Sequence, residues 1–108
     1  MEDYTITLTK ILGKEKNEEL VEYTIKEIRK KFENIRINKA VNIVKINHQA
    51  VMIIAILKAK GLADEEIIKR LHWEKRRSYK YIVANNYDDF IFKYKEYIEL
   101  IIKFVKKT

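Results

Sequence analysis

No proline interrupts this chain, and glycine occurs only at Gly13 and Gly61. Proline removes a backbone donor and glycine weakens helix interiors, so a sequence that nearly avoids both permits long helices. Apolar residues recur at steps of three and four in several stretches, which is typical of helices buried on one face. We therefore predict an all-α fold, a compact bundle of about five helices forming a single helical domain over residues 1–108.

The N-terminal segment Tyr4–Leu8 alternates apolar and polar residues, a strand pattern too isolated to build a sheet. It leaves two alternatives, an extended N-terminal arm over about residues 1–14 or a weak first helix. After Gly13, Asn17 can cap a helix with a clear amphipathic repeat. The apolar positions of that repeat are Val21, Ile25, Ile28, Phe32 and Ile35.

In the middle of the chain, Asn38 and Asn47 both suit helix starts, which suggests a short helix followed by a new one. The run Ala50–Leu57 is apolar throughout and predicts a helix through the centre of the bundle. The run is far shorter than the roughly 20 residues of a membrane span. With no cysteine and no signal-peptide pattern, we expect a cytoplasmic protein without a membrane partner.

Gly61 stands where a left-handed residue would end this helix, and Leu62 can fold back onto it. The next helix opens with acids from Asp64 onward, which suits the positive end of its dipole. Asp88 or Asp89 is expected to start a long final helix. The apolar face of this C-terminal helix carries Ile91, Tyr94, Ile98, Ile101 and Val105. This face would form either part of the core or the interface of a homodimer.

The strongest functional signal is a basic cluster between Lys69 and Lys80. Six cations stand there against one acid, Glu74, with aromatic rings between them. The whole chain has a formal charge of +7, which favours polyanionic partners. Cations interleaved with rings suit nucleic acid, although a solvated basic face is the simpler interpretation. The candidate site residues are Lys69, Arg70, Trp73, Lys75, Arg76, Arg77, Tyr79 and Lys80.

The segment GLADEEIIKRLHWEKRRSYKYI, Gly61 to Ile82, resembles the helix-turn-helix of homeodomain-like regulators and recombinases. In such a motif, at about residues 62–86 here, Ile67 and Leu71 would pack against a second helix that protrudes into the major groove. This sequence has Ala63 at the usual cap, His72 at the usual turn glycine and Ser78 at a usual apolar position.

The resemblance implies a role for most of the basic cluster. A second helix from about Glu74 to Asn85 would enter a DNA duplex, as in a regulator or a plasmid- or virus-type DNA-handling factor. Lys75, Arg76, Tyr79 and Lys80 would then face the bases, and Lys69, Arg70 and Arg77 would lie near phosphates. Trp73 fits either a core position or a base-stacking platform.

A second resemblance covers His48 to Leu71, which is similar to the helical domain that follows the catalytic core of some replication primases. It implies binding of single-stranded template and of ATP or another nucleotide, with Trp73, Tyr79, Arg76 and Arg77 stacking and clamping. A third hypothesis is a non-enzymatic bundle that binds another protein through its last helix.

Catalytic and metal chemistry find little support in the residue pattern. His48 and His72 lack a ligand partner at a suitable spacing, and we interpret them as cap or turn residues. Asp88 and Asp89 are adjacent and fit capping better than acid–base catalysis. Ser78 has no convincing base. We therefore expect no enzymatic activity, no metal and no cofactor.

Overall fold

The computed structural model describes residues 4–107, apart from the side chain of Thr5. Within that range the chain forms six α-helices and one 3-10 helix, and no strand. The prediction of an all-α bundle is confirmed. The elements are α1 (Tyr4–Leu12), α2 (Lys14–Lys31), α3 (Ile37–Ala59), α4 (Asp64–Leu71), the 3-10 helix (Arg77–Tyr81), α5 (Tyr87–Lys93) and α6 (Lys95–Lys107).

The N-terminal segment is helical, the second of the two alternatives. Leu8 on α1 is fully buried, and α1 contacts α2, α3 and α6. Packing of one face of α1 against these helices outweighs the strand-like alternation of its sequence, because tertiary packing overrides a weak local preference for strand. Residues 1–3 of the predicted arm lie outside the described residues.

The start of α2 differs from the prediction. Gly13, at a φ of 85°, precedes the first residue of α2, so Asn17 is not a cap. Asn17 is instead buried inside the helix, where its Nδ2 donates to Thr9 Oγ1 at 3.1 Å. The buried residues of α2 also include polar ones, Thr24 and Glu27, which a search for apolar repeats does not detect.

Helix α3 is continuous over 23 residues, so the predicted break near Asn47 is wrong. It contacts α1, α2, α4, α6 and the 3-10 helix, which explains why its central run is apolar nearly all round. By length and composition α3 is the one described helix that could cross a membrane. In the bundle it is the central helix, with eight buried residues.

The predicted end of the central helix at Gly61 is confirmed. Its φ is 89°, its N–H donates to the Lys58 carbonyl at 2.9 Å, and the Leu62 N–H donates to the Leu57 carbonyl at 3.2 Å. These two bonds form a Schellman motif, which needs a left-handed residue. The three acids of α4 follow Ala63, which offers no side-chain cap.

Replacing Gly61 with alanine should lower the free energy of unfolding by about 1–2 kcal/mol. An added Cβ at Gly61 meets no atom within 4 Å, so the cost is that of the backbone alone. Urea denaturation would measure it. Gly61→Asn is the control, because asparagine tolerates the left-handed region and should cost less. Equal losses in the two variants would contradict the backbone explanation.

The predicted last helix is divided at Tyr94 into α5 and α6. Its cap is Asn86, neither Asp88 nor Asp89: Asn86 Oδ1 accepts from the Asp89 N–H at 2.8 Å. The apolar face of α6 packs within the monomer, chiefly on α3, and buries Tyr97, Ile98 and Ile101. Phe92 and Phe104 remain exposed. Dimerisation through this helix stays a prediction.

A polar cluster lies inside the bundle where α2, α3 and the α5–α6 junction meet. Thr24 Oγ1 donates to the Leu20 carbonyl at 2.9 Å and lies 3.1 Å from His48 Nε2 and 3.0 Å from the Tyr94 hydroxyl. Since the Leu20 carbonyl takes the only hydroxyl proton of Thr24, Thr24 Oγ1 accepts hydrogen bonds from His48 Nε2 and from the Tyr94 hydroxyl. His48 is therefore a core residue of α3, and the prediction of a cap or turn residue is wrong.

Candidate nucleic-acid interface

The region of the predicted helix-turn-helix begins as expected. Helix α4 buries Ile67 and Leu71 and ends at His72, whose φ of 51° is left-handed. The N–H of His72 donates to the Lys69 carbonyl and that of Trp73 to the Ile68 carbonyl. His72 thus performs the turn function of the usual glycine, and its interpretation as a turn residue is confirmed.

The predicted second helix from about Glu74 to Asn85 is wrong. Residues 72–75 form a turn, Arg76 is extended, the 3-10 helix of five residues follows, and residues 82–86 are irregular. Val83, which lies within that stretch, is 2% exposed. A helix-turn-helix is therefore not confirmed, because no α-helix is available there to enter a groove.

Hydrogen bonds from three helices account for this difference. Asn47 of α3 donates through Nδ2 to the Tyr81 carbonyl at 3.2 Å and accepts at Oδ1 from the Val83 N–H at 3.0 Å. Lys31 of α2 donates to the Ile82 carbonyl, and Lys93 of α5 donates to the Val83 carbonyl at 3.1 Å. These side chains satisfy the backbone groups that a helix would have paired internally.

Of the two anchoring lysines, Lys93 is itself held by an ion pair. Glu27 is buried, and its two carboxylate oxygens lie 3.0 Å from Lys93 Nζ and 3.0 Å from Lys30 Nζ. Burial raises the pKa of Glu27, but hydrogen bonds from Lys93 and Lys30 outweigh this and lower it overall. Burial and the nearby Lys93 lower the pKa of Lys31. Lys31 and Lys93 thus hold the segment 81–83 in place.

Trp73 is a core residue. Its side chain is 8% exposed and its ring centroid lies 4.9 Å from that of Tyr79, 5.4 Å from Tyr87 and 5.6 Å from Phe90. A ring enclosed in this way has no free face for a base, so the candidate role in nucleic-acid binding does not hold for Trp73. Tyr79 is half-buried against it, and this burial raises the pKa of the Tyr79 hydroxyl.

The remaining candidates are exposed cations. We call Lys75, Arg76, Arg77 and Lys80 the basic segment; all four are exposed, and none forms an ion pair with a carboxylate of the described residues. Lys69 and Arg70 are exposed at the end of α4, and Arg70 Nε lies 3.5 Å from Glu66. The fold thus brings the cations of the cluster to the surface and its tryptophan to the core.

One neighbour of the basic segment was not predicted from the sequence. The Nζ of Lys39, in the first turn of α3, lies 5.2 Å from the ring centroid of Tyr81, and Lys80 Nζ lies 4.9 Å from the same ring. No sequence motif around Lys39 marks it as a site residue, and it is far from Tyr81 in sequence. Only the anchoring of residues 81–83 against α3 brings the two together.

The described residues contain no group of three or more histidine, cysteine, aspartate or glutamate side chains able to hold a metal ion. His48 is engaged with Thr24, while His72 lies exposed in its turn.

Comparison with known proteins adds no relative. No family model, no curated protein and no solved structure matches the chain. A function for this chain must therefore be inferred from its exposed cations and their surroundings. The two resemblances are limited to the segments Gly61 to Ile82 and His48 to Leu71.

Proposed function

We propose that this chain is a non-enzymatic nucleic-acid-binding module that contacts phosphates through the basic segment. The observation that carries the proposal is the exposure of four cations, none paired with a carboxylate of the described residues. Unpaired surface cations repel one another, which costs stability unless a polyanion neutralises them. Release of counterions from a nucleic acid would supply the driving force.

The mode of binding we propose is contact with the sugar–phosphate backbone of DNA. Base reading by a helix from Glu74 to Asn85 finds no support in the fold, since the segment is a turn and a 3-10 helix. Phosphate contacts carry no sequence information directly. We therefore expect DNA affinity that varies little with sequence and falls steeply with salt.

Fluorescence anisotropy with labelled duplex and single-stranded oligonucleotides at two salt concentrations tests the proposal. A marked preference for single strands together with a response to ATP would favour the primase-like alternative. In that alternative Tyr79 would have to act without Trp73, which is buried. Absence of binding to either form at moderate salt would favour the protein-interaction bundle and contradict our proposal.

The double variant Arg76→Ala, Arg77→Ala should bind DNA more weakly than the wild type. For each phosphate that the variant no longer contacts, the slope of log affinity against log salt should fall by roughly one unit. Both residues are exposed, so the folded state should be unaffected. Anisotropy measured over a series of salt concentrations gives the slope.

The matched control removes the same charge from another element, by replacing Lys106 and Lys107 with alanine. These exposed lysines end α6. If both double variants weaken binding equally, net charge alone explains the affinity and the basic segment is not the interface.

A further inference from the structure

The Tyr81 side chain and two ammonium groups form a small cluster beside the basic segment. Lys39 and Lys80 approach its ring at 5.2 Å and 4.9 Å from the centroid. Phe32 packs against the same ring with centroids 6.1 Å apart. Tyr81 is half-buried, while both lysines are exposed. The ring therefore holds two cations, from distant parts of the chain, at one place on the surface.

This arrangement is fixed by the backbone. The Tyr81 carbonyl accepts from Asn47 Nδ2, and the next two carbonyls accept from Lys31 and Lys93. Since Asn47 and Lys39 belong to the same continuous helix, the Tyr81 ring and the Lys39 side chain are held in register. A site organised before binding loses less entropy when a ligand arrives.

The charge at this site has no internal partner. Neither Lys39 nor Lys80 forms an ion pair with the described carboxylates. Glu33 lines the same shallow cavity as Phe32, Arg36 and Lys39, but it forms no ion pair with any cation of residues 4–107 either. A hydrogen bond from Lys80 is the main influence that lowers the pKa of the Tyr81 hydroxyl, and the nearby positive charges of Lys39 and Lys80 lower it further.

The start of α3 adds a second, independent observation. Arg36 and Lys39 stand at its N-terminus, where no side chain caps the helix and the first turn holds no acid. Cations at the positive end of a helix dipole are unfavourable, by a few tenths to about 1 kcal/mol each. An anion bound there would interact favourably with both the helix dipole and the two cations, because helix N-termini and cations both attract phosphate.

We propose that Lys39, Lys80 and Tyr81 form a clamp for a phosphate group of a nucleic-acid backbone. The proposal rests on the proposed function and deepens it, since the clamp shares Lys80 with the basic segment and extends the contact surface onto α3. Each lysine acts as a point charge for the phosphate, and the tyrosine hydroxyl offers a further hydrogen-bond donor. The bound strand would run from the 3-10 helix to the N-terminus of α3.

The test compares Lys39→Gln with Lys45→Gln, an equal change of charge at an exposed lysine on a different side of the same helix. Binding of labelled oligothymidylate of about twelve nucleotides is followed by anisotropy. Lys39→Gln should weaken binding by about three- to tenfold and lower the salt slope by about one unit, whereas Lys45→Gln should change neither. Thermal unfolding of both variants confirms that they remain folded.

A second measurement uses inorganic phosphate and needs no nucleic acid. Phosphate, compared with chloride at equal ionic strength, should shift the amide NMR signals of Lys39 and Tyr81 in the wild type and not in Lys39→Gln. Phosphate shifts without oligonucleotide binding would contradict the proposed function while supporting the clamp as a site for free phosphate.

Other outcomes separate the two proposals. If the Arg76 and Arg77 variant loses affinity but Lys39→Gln behaves like Lys45→Gln, the clamp is wrong and the proposed function stands. If neither oligonucleotide nor phosphate has any effect, both proposals are overturned.

Discussion

Replacing Asn47 with leucine is expected to lower the free energy of unfolding by roughly 2–4 kcal/mol. Asn47 is fully buried and accepts from the Val83 N–H at 3.0 Å while donating to the Tyr81 and Ile43 carbonyls. Leucine has a similar size, so the loss comes from backbone groups left without partners. Urea denaturation measures it directly.

The matched control is Asn42→Leu, the same change at an exposed position of α3. It should alter stability by no more than about 0.5 kcal/mol. Equal effects of the two variants would mean that Asn47 does not hold the segment 81–83. Since this segment carries Tyr81, the Asn47 variant should also bind oligonucleotides more weakly under conditions where it remains folded.

The second large effect is a loss of stability in mild acid caused by His48. Burial is the largest influence on its imidazole and lowers its pKa from 6.5 to about 4, and a contact with the Leu20 carbonyl offsets only part of this. In the unfolded chain His48 takes up a proton near pH 6.5, whereas in the folded state it stays neutral down to about pH 4. Between these values the unfolded state binds more protons, so stability falls as the pH falls.

The expected loss between pH 7 and pH 5 is about 2 kcal/mol, from 1.36 kcal/mol for each pKa unit. Urea denaturation at each pH measures it. Most carboxylates titrate below this range, near pH 4, and therefore contribute little to the difference. Further acidification should add to the loss until His48 is protonated in both states.

His48→Gln removes the titrating group and keeps an amide that can donate to Thr24, so its stability should depend much less on pH. The control is His72→Asn, which changes an exposed histidine and suits the left-handed backbone at that position. If His48→Gln retains the slope of the wild type, the buried imidazole is not its cause.

Several elements of the fold could be predicted because their signals are local. The glycine at position 61 and the three acids that open α4 are sufficient to mark a helix end and a helix start. His72 could be assigned to a turn because it replaces the turn glycine of the helix-turn-helix that the segment resembles. The buried histidine and Asn47 could not be recognised, because a polar residue inside a helix resembles a cap until its partner is known.

The candidate site was predicted only in part. Lys75, Arg76, Arg77 and Lys80 are exposed as expected, since desolvating a charged side chain is costly. Trp73 was open to two interpretations, and the neighbouring rings of Tyr87 and Phe90 decide for the core. The helical pattern after Glu74 is real in the sequence, but it competes with anchoring side chains from other helices.

The sequence by itself determined that the chain is helical, where α3 and α4 end, and that its surface is cationic. These properties depend on residues within a few positions of one another. Tertiary structure alone decided that residues 74–85 do not form a recognition helix and that Lys39 reaches Tyr81. The reason is that the bond between Asn47 and Val83 joins residues far apart in the chain, and only a completed core brings them close enough to pair.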